Sequence, residues 1–230
     1  PKVKTYEDLA ADVVYNDTGD YFTTLLQLSP SNKRFISIVG EFHSGKTSLV
    51  DLFVEESMRR YGPAPPAGKW GELSALEAVH GGGFRLTDTL DAEQQRQMSI
   101  QTSPLTLMLP DHRDKSHLLT FLDTPGHIQF TDEVTCSTAL SDGVLLVVDP
   151  LEPIINLPHI LPKFSSQQGV VLCLNKLDRL VLEVKLPPQD LYWKLVRVIE
   201  EVNAIMEDYC GVANYFSPMR NIMFGSGLHG

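Results

Sequence analysis

Residues 40–47, Gly40-Glu41-Phe42-His43-Ser44-Gly45-Lys46-Thr47, have the types and spacing to hold phosphate, reading G-x-x-x-x-G-K-T. The N–H groups of such a loop wrap a phosphate, and the positive end of the following helix faces it. The expected contacts are His43, Ser44, Gly45, Lys46, Thr47 and Ser48. Lys46 would reach the outer phosphates and the Thr47 hydroxyl would ligate Mg²⁺. His43 lies in the wrap but receives no chemical role of its own. Asp123, in Asp123-Thr124-Pro125-Gly126-His127, has a carboxylate suited to holding the same cation through water. The Gly126 N–H can approach a terminal phosphate because glycine has no Cβ to block it.

Base choice points to guanine. In Asn175-Lys176-Leu177-Asp178 the Asp178 carboxylate can accept from the ring imino and exocyclic amino groups of guanine. Adenine lacks that amino group, and a buried polar partner left unpaired costs about 1–3 kcal/mol. Asn175 would brace this loop, and the Lys176 stem would cover the base face. Ser226-Gly227-Leu228 supplies a fourth loop. The expected ligands are therefore GTP or GDP with Mg²⁺. For hydrolysis the candidate is His127, which follows Gly126 and can orient a water through a ring nitrogen. Ser99, in Arg96-Gln97-Met98-Ser99-Ile100, can offer a second hydroxyl to the cation.

The elements that must position these groups can be read from apolar runs. Phe35–Val39, Leu118–Leu122, Gly169–Leu174 and Asn221–Gly225 each precede one of the loops. In open α/β sheets ligands bind beyond the carboxyl ends of the strands, so the four loops should converge. Val144–Val148 is wholly apolar, as suits the middle of a parallel sheet. Ser103–Leu109 reads as a strand with Pro104 marking an edge, and Asp111–Lys115 as a polar turn. Helices are expected over 46–59, Ile128–Leu140 and 188–208. In the last, Leu191, Leu195, Val198, Val202, Ile205 and Met206 recur at three- and four-residue spacing. Residues 61–99 carry Pro- and Gly-rich runs and read as a long loop with one helical turn near Leu73–Val79. The fold class is α/β, a phosphate-loop GTPase fold with a mostly parallel central sheet and helices on both faces.

Residues 34–230 are expected to form the GTPase domain. Residues 1–33 read as an extension with acidic and apolar residues interleaved, packed on the domain, docked to a partner or serving as a linker. The chain opens without Met and stops just after the last loop, so a larger multidomain protein is expected. Net charge is −10, from 19 basic and 29 acidic residues. That balance argues against a broad basic face gripping nucleic acid. No apolar run reaches membrane-spanning length. Cys136, Cys173 and Cys210 lack metal-ligand spacing and read as reduced core thiols.

Asp-Thr-Pro-Gly-His resembles the translation-factor class of GTPases. Arg85–Thr89 and Glu93–Ile100 are similar to the first switch of elongation factor two and its relatives. Leu182–Pro188 and Ser44 most resemble the spliceosomal branch of that family, which belongs to the U-five small nuclear ribonucleoprotein. The resemblance implies a nuclear location and a role in activation and disassembly during pre-mRNA splicing. It also implies two partners: the large scaffold called pre-mRNA-processing factor eight, and other small nuclear ribonucleoprotein components. It assigns nucleotide roles to Lys46, Thr47, Ser99, Asp123, Gly126, His127, Asn175, Lys176, Asp178 and Ser226. Departures are Ser99 for the usual Thr, Gln97 for a common Gly, and Pro153 where relatives carry Gly. Pro158 and Pro162 should interrupt the helix that follows. Two rival readings are a ribosomal translocase-like GTPase and a module holding GTP as a structural ligand.

Overall fold

The computed structural model describes residues 32–61, 87, 90–96, 98–111, 113, 115–160, 168–211 and 214–227. Six strands form one sheet: β1 (Lys33–Gly40), β2 (Ser103–Pro110), β3 (Ser116–Asp123), β4 (Gly143–Val148), β5 (Gly169–Leu174) and β6 (Ile222–Phe224). Their order is β2-β3-β1-β4-β5-β6. Only β2 runs antiparallel to its neighbour. The edge position of β2 accommodates Pro104. Helices are α1 (Lys46–Tyr61), α2 (Asp91–Arg96), α3 (Thr131–Leu140), α4 (Leu157–Ile160) and α5 (Pro188–Cys210).

Two cores cover the two faces, and β4 shows why. Alternate residues point to opposite sides of a sheet. Leu145 and Val147 join Ile38, Phe121 and Cys173 beneath Leu49, Val50 and Val54 of α1. Val144, Leu146 and Val148 face the other way, against Val134 of α3, Leu157 of α4 and Val198, Val202 and Met206 of α5. Pro188 sits in the first turn of α5, and Gly211 closes it with φ 67° and its N–H on the Glu207 carbonyl. Buried Asn203 then holds both backbone groups of Phe216, steering the chain into β6.

Three expectations need correction, and one further turn is new. Residues 91–96 are helical rather than loop, because the Glu93 carboxylate reaches back to cap the Leu90 N–H. The stretch 128–140 is split: a 3₁₀ turn, Ile128–Phe130, precedes α3. A π-helical turn, Arg179–Glu183, was not foreseen. Cys173 is a buried core thiol, its pKa raised to about 11 by burial, but Cys136 lies on the solvent side of α3. The segment ahead of β1 up to residue 31, the turn near Leu73–Val79, Gln97, Pro162 and Leu228 lie outside the described residues, as does the side chain of Cys210.

Candidate functional site

At the carboxyl end of β1 the chain turns at once, with the Ser44 N–H on the Glu41 carbonyl at 3.2 Å. His43 and Gly45 take left-handed backbone, φ 58° and 88°. A Cβ at Gly45 would also lie 2.5 Å from Asn175 Nδ2. The first helical bond of α1 runs from Leu49 to Gly45. The N–H groups ahead of it are those a helix start directs at an anion. Lys46 is buried and donates to the carbonyls of Gly40 (3.1 Å) and Glu41 (2.7 Å). Burial lowers its pKa to about 8, opposed by the charges of Asp123 and Glu41 and aided by that of Lys176. A Cβ at Gly126 would meet Lys46 Nζ at 2.4 Å, so this glycine passes directly over the lysine.

Beside Lys46, oxygen atoms gather. The Thr47 hydroxyl donates to Asp123 Oδ2 at 2.9 Å, and Ser99 Oγ lies 3.3 Å from Thr47 Oγ1. Thr87 also donates to Asp123 Oδ2, at 2.8 Å. Hydroxyls with one carboxylate suit a small hard cation such as Mg²⁺, which takes few protein ligands and fills its shell with water and phosphate oxygens. Among the described residues no group of three or more His, Cys, Asp or Glu could hold a metal ion. A hollow of about 230 Å³ opens here, walled by Phe42, Lys46, Thr47, Met98, Ser99 and Gly126 with His43, Gly45, Ser48 and Lys176.

Across the sheet, Asn175 is fully buried and joins three loops. Its Nδ2 donates to the Ser44 carbonyl at 2.9 Å, and its Oδ1 accepts the Gly227 N–H at 2.8 Å. Lys176, with φ 57°, donates to the His43 carbonyl and pairs with Asp149 at 3.2 Å. Ser226 donates to Asp178 Oδ1 at 2.6 Å, aligning the carboxylate expected to read the base. The loops after β1, β5 and β6 are thus bonded together.

His127 does not line the hollow. Its Nδ1 accepts the Gln129 N–H at 3.2 Å, and its ring stands edge-on to Phe42 at 5.8 Å. In this rotamer Nε2 is the nitrogen that can meet a water. Asp123, Asn175, Asp178 and Ser226 also stand outside the hollow's wall, whereas Lys176 of the base loop lines it.

Sequence reading missed four residues. Thr87 sits in a polar run with no spacing signal. Glu41 accepts the N–H groups of Ile155, Asn156 and Leu157 on one oxygen, tying the phosphate loop to the start of α4. Asp149, buried, pairs with Lys176 and with Arg179 (3.0 Å). Glu93 is 1% exposed and bonds to both flanks of its own segment. Acidic residues directly after apolar strands were the available signal for Glu41 and Asp149.

Known proteins carry the same pattern. Residues 31–230 match the Elongation factor Tu GTP binding domain family. The chain is 35% identical over 88% of its length to a 110 kDa U5 small nuclear ribonucleoprotein component of Arabidopsis thaliana. It is 38% identical over 90% of its length to the pre-mRNA-splicing factor SNU114 of Saccharomyces cerevisiae, and 39% over 84% to cwf10 of Schizosaccharomyces pombe. It spans only about a fifth of those relatives: 20%, 19% and 18% of their lengths. Among solved structures, the bacterial selenocysteine-specific elongation factor EF-Sec superposes with a TM-score of 0.51 at 19% identity, over 86% of this chain and 26% of that one, a likeness of fold. With the family match running from the first strand through the last loop, the chain belongs to the GTP-binding domain family of elongation factor Tu.

Proposed function

We propose that this chain is the GTP-binding and slowly hydrolysing switch domain of a spliceosomal protein, acting in activation and disassembly during pre-mRNA splicing. The observation that carries guanine recognition is the bracket of Asp178 by Ser226, with Asn175 bonded to both the phosphate loop and Gly227. The likeness to splicing factors supports the spliceosomal setting over the ribosomal one. Residues 34–230 form the nucleotide unit, and residues 1–33 serve as a docking extension. The partners are the large scaffold, pre-mRNA-processing factor eight, and other small nuclear ribonucleoprotein components, in the nucleus. Among the described residues no helix is long and apolar enough to cross a membrane. Purification of the tagged full-length protein should bring down small nuclear RNA; recovery of ribosomal subunits instead would favour the translocase reading.

In the working site the loop N–H groups and Lys46 hold the phosphates, and Asp178 fixes the base. Thr47, Ser99 and Asp123 would hold Mg²⁺, which when bound supplies charge stabilisation to the phosphate oxygens. The Gly126 N–H orients the terminal phosphate, and His127 orients the attacking water through a ring nitrogen. A second reading, GTP as a structural ligand, is favoured by one observation: His127 Nδ1 is occupied by the Gln129 N–H and the ring is outside the hollow.

Asp178→Asn should weaken GTP more than tenfold, a lost charged hydrogen bond being worth about 1.5–3 kcal/mol. It should favour xanthosine triphosphate, which offers a carbonyl in place of the amino group. Competition binding checks this, and unchanged GTP affinity would remove Asp178 from the base site.

Lys46 sets a pH dependence. Its folded pKa of about 8 lies below the ordinary 10.5, so the unfolded chain binds the proton more tightly. Between these values the stability of the unliganded domain rises with pH. A bound polyphosphate favours the ammonium, so binding should take up a proton above pH 8, and affinity should fall as pH rises through that range. Calorimetric titration at pH 8.5 in buffers of different ionisation enthalpy reads the uptake directly. Buffer-independent heat would contradict it.

A further inference from the structure

We infer that Glu93 is a positioning residue that holds Ser99 at the cation site and so makes binding selective for the triphosphate over the diphosphate. This rests on the nucleotide reading above. The Glu93 carboxylate is nearly fully buried, and among the described residues no Lys, Arg or His pairs with it. A buried charge needs compensation, and here backbone donors supply it. Oε2 accepts the Leu90 N–H at 3.0 Å; Oε1 accepts those of Ile100 at 2.9 Å and Gln101 at 3.1 Å. The Glu93 carbonyl accepts the Met98 N–H at 3.1 Å.

Capping α2 requires only the bond to Leu90. The bonds to Ile100 and Gln101 reach seven and eight residues onward, well past the end of the helix. Both neighbours of Ser99, Met98 and Ile100, are therefore tied to one residue. The result is a closed strap with the Ser99 hydroxyl 3.3 Å from Thr47 Oγ1. The strap continues into the fold: Thr102 N–H donates to Glu133 of α3, and Ser103 Oγ donates to the Thr87 carbonyl. A hydroxyl held this way is presented before the ligand arrives, and preorganisation of that kind raises affinity for the ligand that uses it. With Mg²⁺ bound, the third phosphate of GTP would share that cation with Ser99. A diphosphate has no third phosphate and gains little from the strap.

The test measures affinities of full-length protein for a non-hydrolysable GTP analogue and for GDP, with Mg²⁺ and with chelator. Glu93→Gln keeps the shape but removes the charge from the three N–H bonds. It should weaken the triphosphate about tenfold in Mg²⁺, the scale of one lost charge-assisted bond. GDP affinity should stay within about threefold, and the triphosphate difference should vanish in chelator. Amide exchange at Ile100 and Gln101 should quicken. Ser99→Ala should reproduce the selective loss, and adding Glu93→Gln to it should cost nothing further, the signature of a shared path. Equal weakening of both nucleotides, or of neither, overturns the role of Glu93 while leaving GTP binding intact. Wild-type protein that binds no guanine nucleotide overturns both this role and the reading beneath it.

Discussion

Lys46→Ala should lose nucleotide binding, with GTP affinity falling by at least about a hundredfold, since two charge-assisted bonds of about 1.5–3 kcal/mol each disappear. The geometry argues for so large an effect. The ammonium is buried beneath Gly126 at the end of β1, where any added Cβ would strike it. It donates to the Gly40 and Glu41 carbonyls, partners that can be exchanged for phosphate oxygens. The side chain also carries no load in either core, so the fold should persist. Filter binding checks the affinity and thermal unfolding checks the fold. A folded variant that binds GTP as the wild type does would remove the lysine from the phosphate site.

His127→Ala should behave in the opposite way. Nucleotide affinity should stay within a few-fold, because the ring does not line the hollow. Partner-stimulated hydrolysis should fall by about 10²–10⁴, the range for losing a positioning or acid–base group. The ring is now held by Gln129 and braced edge-on by Phe42, with Phe130 at 6.1 Å. A partner must turn it, so single-turnover rates have to be measured with that partner present. Unaided GTPases can be as slow as about 10⁻⁴ s⁻¹. Equal rates for wild type and variant would show that His127 is not catalytic. No hydrolysis by either would make bound GTP a structural ligand.

What could be read from the sequence was what local pattern encodes. The phosphate loop sits between an apolar strand and a helix, and Val144–Val148 announces its own burial on both faces. The placement of Pro104 at a sheet edge and of Pro188 in the first turn of α5 also follows from chemistry within one or two residues. What escaped depends on partners far along the chain. Helix α2 lies in a run of Asp, Ala, Glu, Gln, Gln and Arg with no apolar stripe, and the Glu93 carboxylate that caps it at Leu90 also bonds forward to residues 100 and 101. Thr87 matters only because it meets Asp123, 36 residues away. The pairing of Asp149 with Lys176 and Arg179 exists because β4 and β5 run side by side and end together. The His127 ring, held locally by the Gln129 N–H, also meets Phe42 from a different loop.

Four loops at one end of this sheet are built to select a guanine nucleotide. Titrating the purified protein with GTP and ATP in Mg²⁺ tests this most directly. The bracketed Asp178 and buried Asn175 predict GTP binding tighter than ATP by more than about a hundredfold, since a site built around a substrate's amino donor rejects the analogue lacking it. Equal affinity for the two nucleotides, or a preference for ATP, would contradict the account.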